Sequence, residues 1–355
     1  MSKLRIAIYT IALNEEKYVD SWVLANKEAD YLVVADTGST DNTVERLRAH
    51  GVIVHSIKIH PWRFDDARNA VMSLIPADAD ICISVDMDEA MSLGWRQELE
   101  KHWVSGTTRA SYTYHHSMDT MGNPISSFMA DKCHSRFGYR WQRPVHETIF
   151  PVGINEQIIS APSVQMIHNQ DTTKSRQNYL PLLIQSHKDI PSCSQTLFWL
   201  AREYSSYLQK ENAIEHFKKY LELPSATWPD ERSEAMNWLS KLIPHETLKW
   251  LRLACAEAPY RREVWLNISE YYYKQEDWLN LYAAAKEGLK ITNKCNNYLD
   301  NSQAWDGHLW DLAGLGAWNL DLRKESLDLF EEAAKLSPND SRITNNYNVV
   351  KRLVI

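Results

Sequence analysis

The chain is defined first by what it lacks. None of its apolar runs is long enough to cross a bilayer. The opening stretch "MSKLRIAIYTIALNEE" has no signal-peptide pattern: its apolar residues alternate and end in acids, so it reads as a first strand. Five cysteines (Cys82, Cys133, Cys193, Cys255, Cys295) are scattered, odd in number and free of any CxxC pair. That spacing excludes a disulfide framework and a structural zinc site, and it predicts a reducing, cytoplasmic setting. Basic residues are outnumbered, 39 Lys and Arg against 46 Asp and Glu, giving a net charge of −7. A global positive field for nucleic acid is therefore absent, although a local basic patch is compatible with the count. Glycine is scarce, 11 residues against 14 Trp and 17 Tyr, so large side chains must fill the helix contacts.

What is present divides into two halves of different kinds, as 355 residues lead one to expect. Over residues 1–190 strand and helix patterns alternate. Strands are predicted at 4–11, 30–36, 52–57 and 79–86, and helices at 15–29, 43–51 and 65–75. This alternation implies an α/β domain with a mostly parallel sheet, whose ligands bind beyond the carboxyl ends of the strands.

Over residues 191–355 the pattern is helical and repeats. A 34-residue template starting at 194, 228, 262 and 307 places small residues at its eighth position: Ala201, Ala235, Ser269 and Gly314. Its twenty-fourth position reads Phe217, Leu251, Ala285, Phe330, and its twenty-seventh reads Tyr220, Ala254, Gly288, Ala333. Small residues let helices approach, and large ones fill the space between them. The pattern resembles the tetratricopeptide repeat, which implies an all-α solenoid of stacked helix pairs. An insertion is expected near 292–303, and the tail from Ser341 is expected to cap the stack.

The most informative stretch is "ICISVDMDEAM" (81–91). An apolar strand ends in Asp86, Asp88 and Glu89 within four positions, where mutual repulsion is costly. A helix N-cap ahead of "SLGWRQELEKHW" accounts for one acid only. A divalent cation accounts for more: Asp86 and Asp88, two apart at a strand end, supply hard oxygen ligands suited to Mn²⁺ or Mg²⁺, and the ion in turn holds a diphosphate.

The segments "TIALNEE" (10–16), "ADTGSTDNT" (35–43), "DDARNAV" (65–71) and "SVDMDEA" (84–90) occur in this order, each after a strand or opening a helix. As an ordered set they resemble the family 2, GT-A-fold glycosyltransferases over residues 3–190. The resemblance implies that Asp36 contacts the nucleotide base with Thr10, Asn14 and Glu15 nearby, and that Arg68 lies near the nucleotide. An acid at a strand end accepts the imide N–H of uracil, and Asp36 also suits an Asx-turn in "DTGSTDN". Arg68, read as a first-turn residue beside Asp65 and Asp66, carries a fixed guanidinium suited to phosphate or carboxylate. Asp41 reads as a helix cap.

An inverting sugar transfer needs a general base. Glu147 in "RWQRPVHETI" fills that role by resemblance, with aromatic and apolar neighbours expected to raise its pKa; Asp131 is the reserve. The resemblance makes His168 the third metal ligand, with His146 as competitor. Lys132, Arg136, Arg140 and Arg143 read as a solvated face or as a phosphate-contacting acceptor cleft. One departure from the family is that its usual double acid after the second strand reads Asp36–Thr37.

The expectation is a metal-dependent, inverting transferase of a hexosyl or pentosyl group, with a nucleotide-sugar such as a UDP-sugar as donor. Its acceptor is a protein or peptide, a glycan or a modified DNA base. The repeats present the acceptor or build a homodimer. No apolar tail follows, which argues against a processive synthase with its own membrane pore. Two other readings remain open: a nucleotide-binding scaffold with protein-binding repeats, and a nucleotidyltransferase.

Overall fold

The computed structural model describes residues 4–119, 121–169 and 179–354. They form two compact units, Met1–Asp189 and Ile190–Ile355.

The first unit runs β1 (Ile6–Ala12), α1 (Val19–Asn26), β2 (Tyr31–Asp36), α2 (Thr43–Ala49), β3 (Ile53–Ser56), α3 (Phe64–Ser73) and β4 (Ile81–Ser84). Then follow β5 (Glu89–Met91), α4 (Trp95–His102), β6 (Arg109–Met118), β7 (Pro124–Ser135), β8 (Tyr139–Gln142), β9 (Thr148–Pro151), β10 (Ile158–His168) and α5 (Tyr179–Asp189). Eight strands make one sheet in the order β3-β2-β1-β4-β7-β6-β10-β5, and β8 and β9 make a separate ribbon.

The sheet is mixed. β1 pairs in parallel with β2 and β4, β2 with β3, and β6 with β10. β7 runs antiparallel to β4 and β6, and β5 antiparallel to β10. The alternating first half obeys the expected parallel pattern. After β4 the alternation ends: α4 separates β5 from β6, and β6 and β7 join as a hairpin, which reverses strand direction without a crossover helix.

β1 and β4 lie at the centre, and every residue of β4 is buried. A strand covered on both faces needs apolar side chains at every position. Ile6 and Ile8 join a core with Trp22 and Trp95; Ala7 and Tyr9 join another on the opposite face with Val71 and Trp141. The chain leaves β1 toward β2 on one side and returns to β4 on the other, so the order reverses between β1 and β4. The carboxyl ends of that pair form the crevice where ligands of open α/β sheets bind.

The second unit holds four helix pairs and a closing helix: α6 (Ser194–Ser206) with α7 (Lys210–Glu222), α8 (Pro229–Leu242) with α9 (Thr247–Glu257), α10 (Arg262–Lys274) with α11 (Trp278–Leu289), α12 (His308–Asn319) with α13 (Arg323–Leu336), then α14 (Ser341–Val354). The first helix of each pair starts within one residue of the template start. The template's small positions are where helices touch. A Cβ on Gly314 meets the Phe330 ring at 3.0 Å, and one on Gly288 meets Trp265 Cβ at 2.7 Å. This is a TPR-like array, and no helix among the described residues is long and apolar enough to cross a membrane.

Candidate active site

The three acids beyond β4 have three different partners. Asp86 is gripped by a guanidinium fork: Arg68 Nη1 donates to Oδ1 at 2.8 Å and Nη2 to Oδ2 at 3.0 Å. Arg68 comes from the second turn of α3, not the first, because the helix begins at Phe64. Asp65 and Asp66, expected beside it, are paired with Arg63. Arg68 Nη1 also reaches Ser84 Oγ at 3.1 Å, and Nε donates to Glu147 Oε1 at 2.5 Å. The Trp141 ring lies 5.1 Å from the guanidinium carbon, a cation–π contact. Burial opposes the charge on Arg68, but the Asp86 and Glu147 carboxylates outweigh it and hold its pKa well above the ordinary arginine value.

Glu89, 3% exposed, serves a different cation. Its Oε1 accepts from Tyr114 hydroxyl at 2.9 Å and from Lys132 Nζ at 3.2 Å, and its Oε2 accepts from the Asp86 N–H at 2.8 Å. Lys132 Nζ also stands 3.7 Å from Asp86. Burial pulls the lysine pKa down, and Glu89 with Asp86 more than reverses this. Burial, followed by the Glu89 charge, pushes the Tyr114 hydroxyl far up, so it remains a hydrogen-bond donor at neutral pH.

Asp88 is directed to the third side. β5 pairs with β10 so that Glu89 faces His168 across the ladder, which sets His168 beside Asp88. His168 Nε2 is 3.8 Å from Asp88 Oδ2, too far for a hydrogen bond. Among the described residues His168 Nδ1 is buried with no hydrogen-bond partner. The helix-cap explanation for the acids fails: Gly94, in a left-handed conformation, starts α4, and Glu28 accepts its N–H at 2.8 Å.

The loops after β1 and β2 are laced to each other. Asp36 accepts from the Gly38 and Ser39 N–H groups, each at 3.1 Å, which is the expected Asx-turn. Gly38 has φ +118, a conformation that side chains disfavour. Asn14, at φ 56, accepts from Thr40 N at 2.7 Å and donates its own N–H to Ser39 Oγ. The Glu15 N–H donates to Thr43 Oγ1, and the Thr10 hydroxyl is 3.4 Å from Asp86. Asp41 accepts from Thr43 N at 3.0 Å in the turn opening α2, while Asn42 holds the cap position. Trp22 of α1 donates to the Val85 carbonyl at 3.1 Å, pinning the strand end that carries the acids.

Several expectations are corrected. Glu147 has an ionic neighbour in Arg68 in place of the expected apolar setting, and Trp141 packs on that arginine. Asp86, expected on the cation, turns both oxygens to Arg68. His146, at φ 50, packs edge-on against Tyr179. Asp131 pairs with Arg109 at 2.9 Å. The four basic residues do not share one cleft: Lys132 is on Glu89, Arg136 donates to the Ile75 carbonyl, Arg143 lies over Phe150, and Arg140 is exposed. The helpers that sequence reasoning missed are Tyr114 and the site role of Lys132. Both lie on the β6–β7 hairpin, whose alternation carried their signal.

Among the described residues no group of three His, Cys, Asp or Glu is placed to hold a metal ion. Asp88 and His168 are a two-residue donor set of the kind a divalent ion accepts, with the His168 ring packed against Tyr114 and His116.

No family model matches the chain, and no curated protein matches it. Solved structures do. A thermophilic TPR protein of Thermus thermophilus is 17% identical over 49% of this chain and 89% of its own, with a TM-score of 0.33. YrrB, a TPR protein with an unusual peptide-binding site, is 16% identical over 48% of this chain and 82% of its own, with a TM-score of 0.38. Glucosyl-3-phosphoglycerate synthase from Mycobacterium tuberculosis is 22% identical over 32% of this chain and 45% of its own, with a TM-score of 0.26. All three scores are under 0.5, and the two-part architecture rests on the chain's own topology.

Proposed function

We propose that the first unit is a metal-dependent, inverting glycosyltransferase with a nucleotide-sugar donor, in the first place a UDP-sugar. The observation that carries this reading is Arg68 joining Asp86 to Glu147 at the carboxyl ends of β1 and β4, beside the loops at 10–16 and 35–43. Asp36, Asn14, Glu15 and Thr10 line the nucleotide side. Asp88 and His168 are the residues that would hold Mn²⁺ or Mg²⁺, which when bound neutralises the departing diphosphate. Ions of this kind take few protein ligands and complete their shell with water and phosphate oxygens, which a two-residue set suits.

Asp86 acts through Arg68. Its bidentate hold aims the guanidinium so that Nε fixes the Glu147 carboxylate, and Glu147 takes the proton from the acceptor hydroxyl as the new glycosidic bond forms. The acceptor is a protein or peptide, a glycan or a modified nucleobase, and the TPR-like pairs present it or bind a partner protein. The test is incubation with a panel of nucleotide-sugars and Mn²⁺, reading nucleotide release. Release of UDP that Asp88→Ala abolishes supports the assignment. Release of pyrophosphate identifies a nucleotidyltransferase, and no turnover of any donor leaves a nucleotide-binding scaffold.

A further inference from the structure

In a helical-repeat array each pair touches only its neighbours. The segment between α11 and α12 breaks that rule. Residues 292–306 hold the insertion expected near 292–303, and they return across the first helices of the three preceding pairs.

Tyr298 stacks on Trp199 of α6, with ring centroids 5.4 Å apart and planes 25° apart, and meets Trp228 edge-on at 5.6 Å. Its hydroxyl donates to Glu231 of α8. Asn297 Nδ2 donates to Asp230 Oδ2 at 2.6 Å. The Asn301 N–H and Trp305 Nε1 donate to Glu263 Oε1 of α10, at 3.3 and 2.8 Å. Arg261 Nη2 returns a bond to the Leu299 carbonyl at 2.9 Å. Tyr298 and Leu299 also pack on the apolar core of the first two pairs.

The chemistry is one-sided. With the segment in place Asp230, Glu231 and Glu263 are each 4% exposed, and the segment meets them with neutral donors: an amide, a phenol, a backbone N–H and an indole. Tyr260 also donates to Asp230, Arg261 stands 3.7 Å from Glu263, and the segment's own Asp300 lies near Glu263. Removing the segment takes away these donors and the Tyr298 stacking on Trp199 together, so the bonds and the apolar contact are lost as one unit. The face is therefore built for a ligand that offers a tyrosine flanked by amide donors.

We propose that the first-helix face of the first three pairs is a docking surface whose resident ligand is this chain's own residues 292–306. Held in cis, the segment has an effective concentration that a dilute competitor does not match. It closes this face to other segments and ties three pairs into one cooperative body.

The test uses the full chain with residues 293–303 replaced by a glycine–serine stretch of equal length. A fluorescent synthetic peptide of residues 292–306 is titrated by anisotropy into this variant and into the unaltered chain. The expected result is binding to the variant at least ten-fold tighter than to the unaltered chain, and at least ten-fold weaker binding of the Tyr298→Ala peptide. A variant that keeps its helical circular dichroism and thermal transition yet binds no better than the unaltered chain overturns the proposal. If the replacement prevents folding, hydrogen exchange on the full-length Tyr298→Ala chain decides. The proposal requires at least ten-fold faster exchange in α6, about 100 residues away in sequence; unchanged exchange there refutes it.

Discussion

Arg68 Nε lies 2.5 Å from Glu147 Oε1 while the same guanidinium forks onto Asp86, so one buried cation fixes two acids that are far apart in the chain. Removing it strips Glu147 of its guanidinium and leaves Asp86 with the more distant Lys132, at 3.7 Å. Arg68→Met should destabilise the first unit by about 3–5 kcal/mol, the range for breaking a buried ion pair from one side. Urea unfolding measures it. Adding Glu147→Gln to Arg68→Met should restore part of the loss, since one stranded charge is gone.

The Glu89–Lys132 pair makes a parallel prediction with a different readout. Glu89→Gln keeps the shape but weakens the hold on Lys132 and on the Asp86 N–H. Nucleotide release should fall in kcat by about ten-fold or more with KM little changed, as for a residue that positions others. A pure KM effect would place Glu89 in donor binding instead.

His134 sets an acid limit on the fold. It is fully buried, shares a hydrogen bond with Tyr9 hydroxyl at 2.9 Å, and burial pushes its pKa from 6.5 down to about 4. Protonation is thus easier in the unfolded chain. The stability this gives is complete above pH 6.5 and is lost as pH falls toward 4, by at most about 1.4 kcal/mol per pH unit. Unfolding midpoints at pH 7 and 4.5 should differ more for the unaltered chain than for His134→Gln; equal slopes contradict the assignment.

The repeat packing is tested at Gly288. A Cβ there comes within 2.7 Å of Trp265 Cβ and 2.9 Å of a Leu309 methyl. Gly288→Ala should therefore cost about 1–3 kcal/mol from overpacking, despite alanine's better helix propensity. A higher melting temperature for this variant would mean the two helices part more easily than their contact implies.

The periodic parts of the molecule were legible in the residues. Strand alternation placed β1 to β4, and small residues at 34-residue intervals placed the helix contacts. The acids at 86–89 were also visible, but their partners were not. His168 reaches Asp88 only because β5 runs antiparallel to β10 in one register, and no local pattern encodes that choice. Lys132 read as part of a solvated face or of an acceptor cleft, because charge alone does not show that it turns to Glu89. Arg68 and Glu147 meet because the chain from α3 and the β8–β9 ribbon converge, a tertiary fact.

The most direct measurement is calorimetric titration of Mn²⁺ with UDP into the full-length chain and into Asp88→Ala. The account predicts that UDP binds the unaltered chain at least ten-fold tighter with Mn²⁺ present than in chelator, and that Asp88→Ala removes this difference. Equal UDP affinity with and without the ion, or an ion-dependent gain that survives Asp88→Ala, would contradict it.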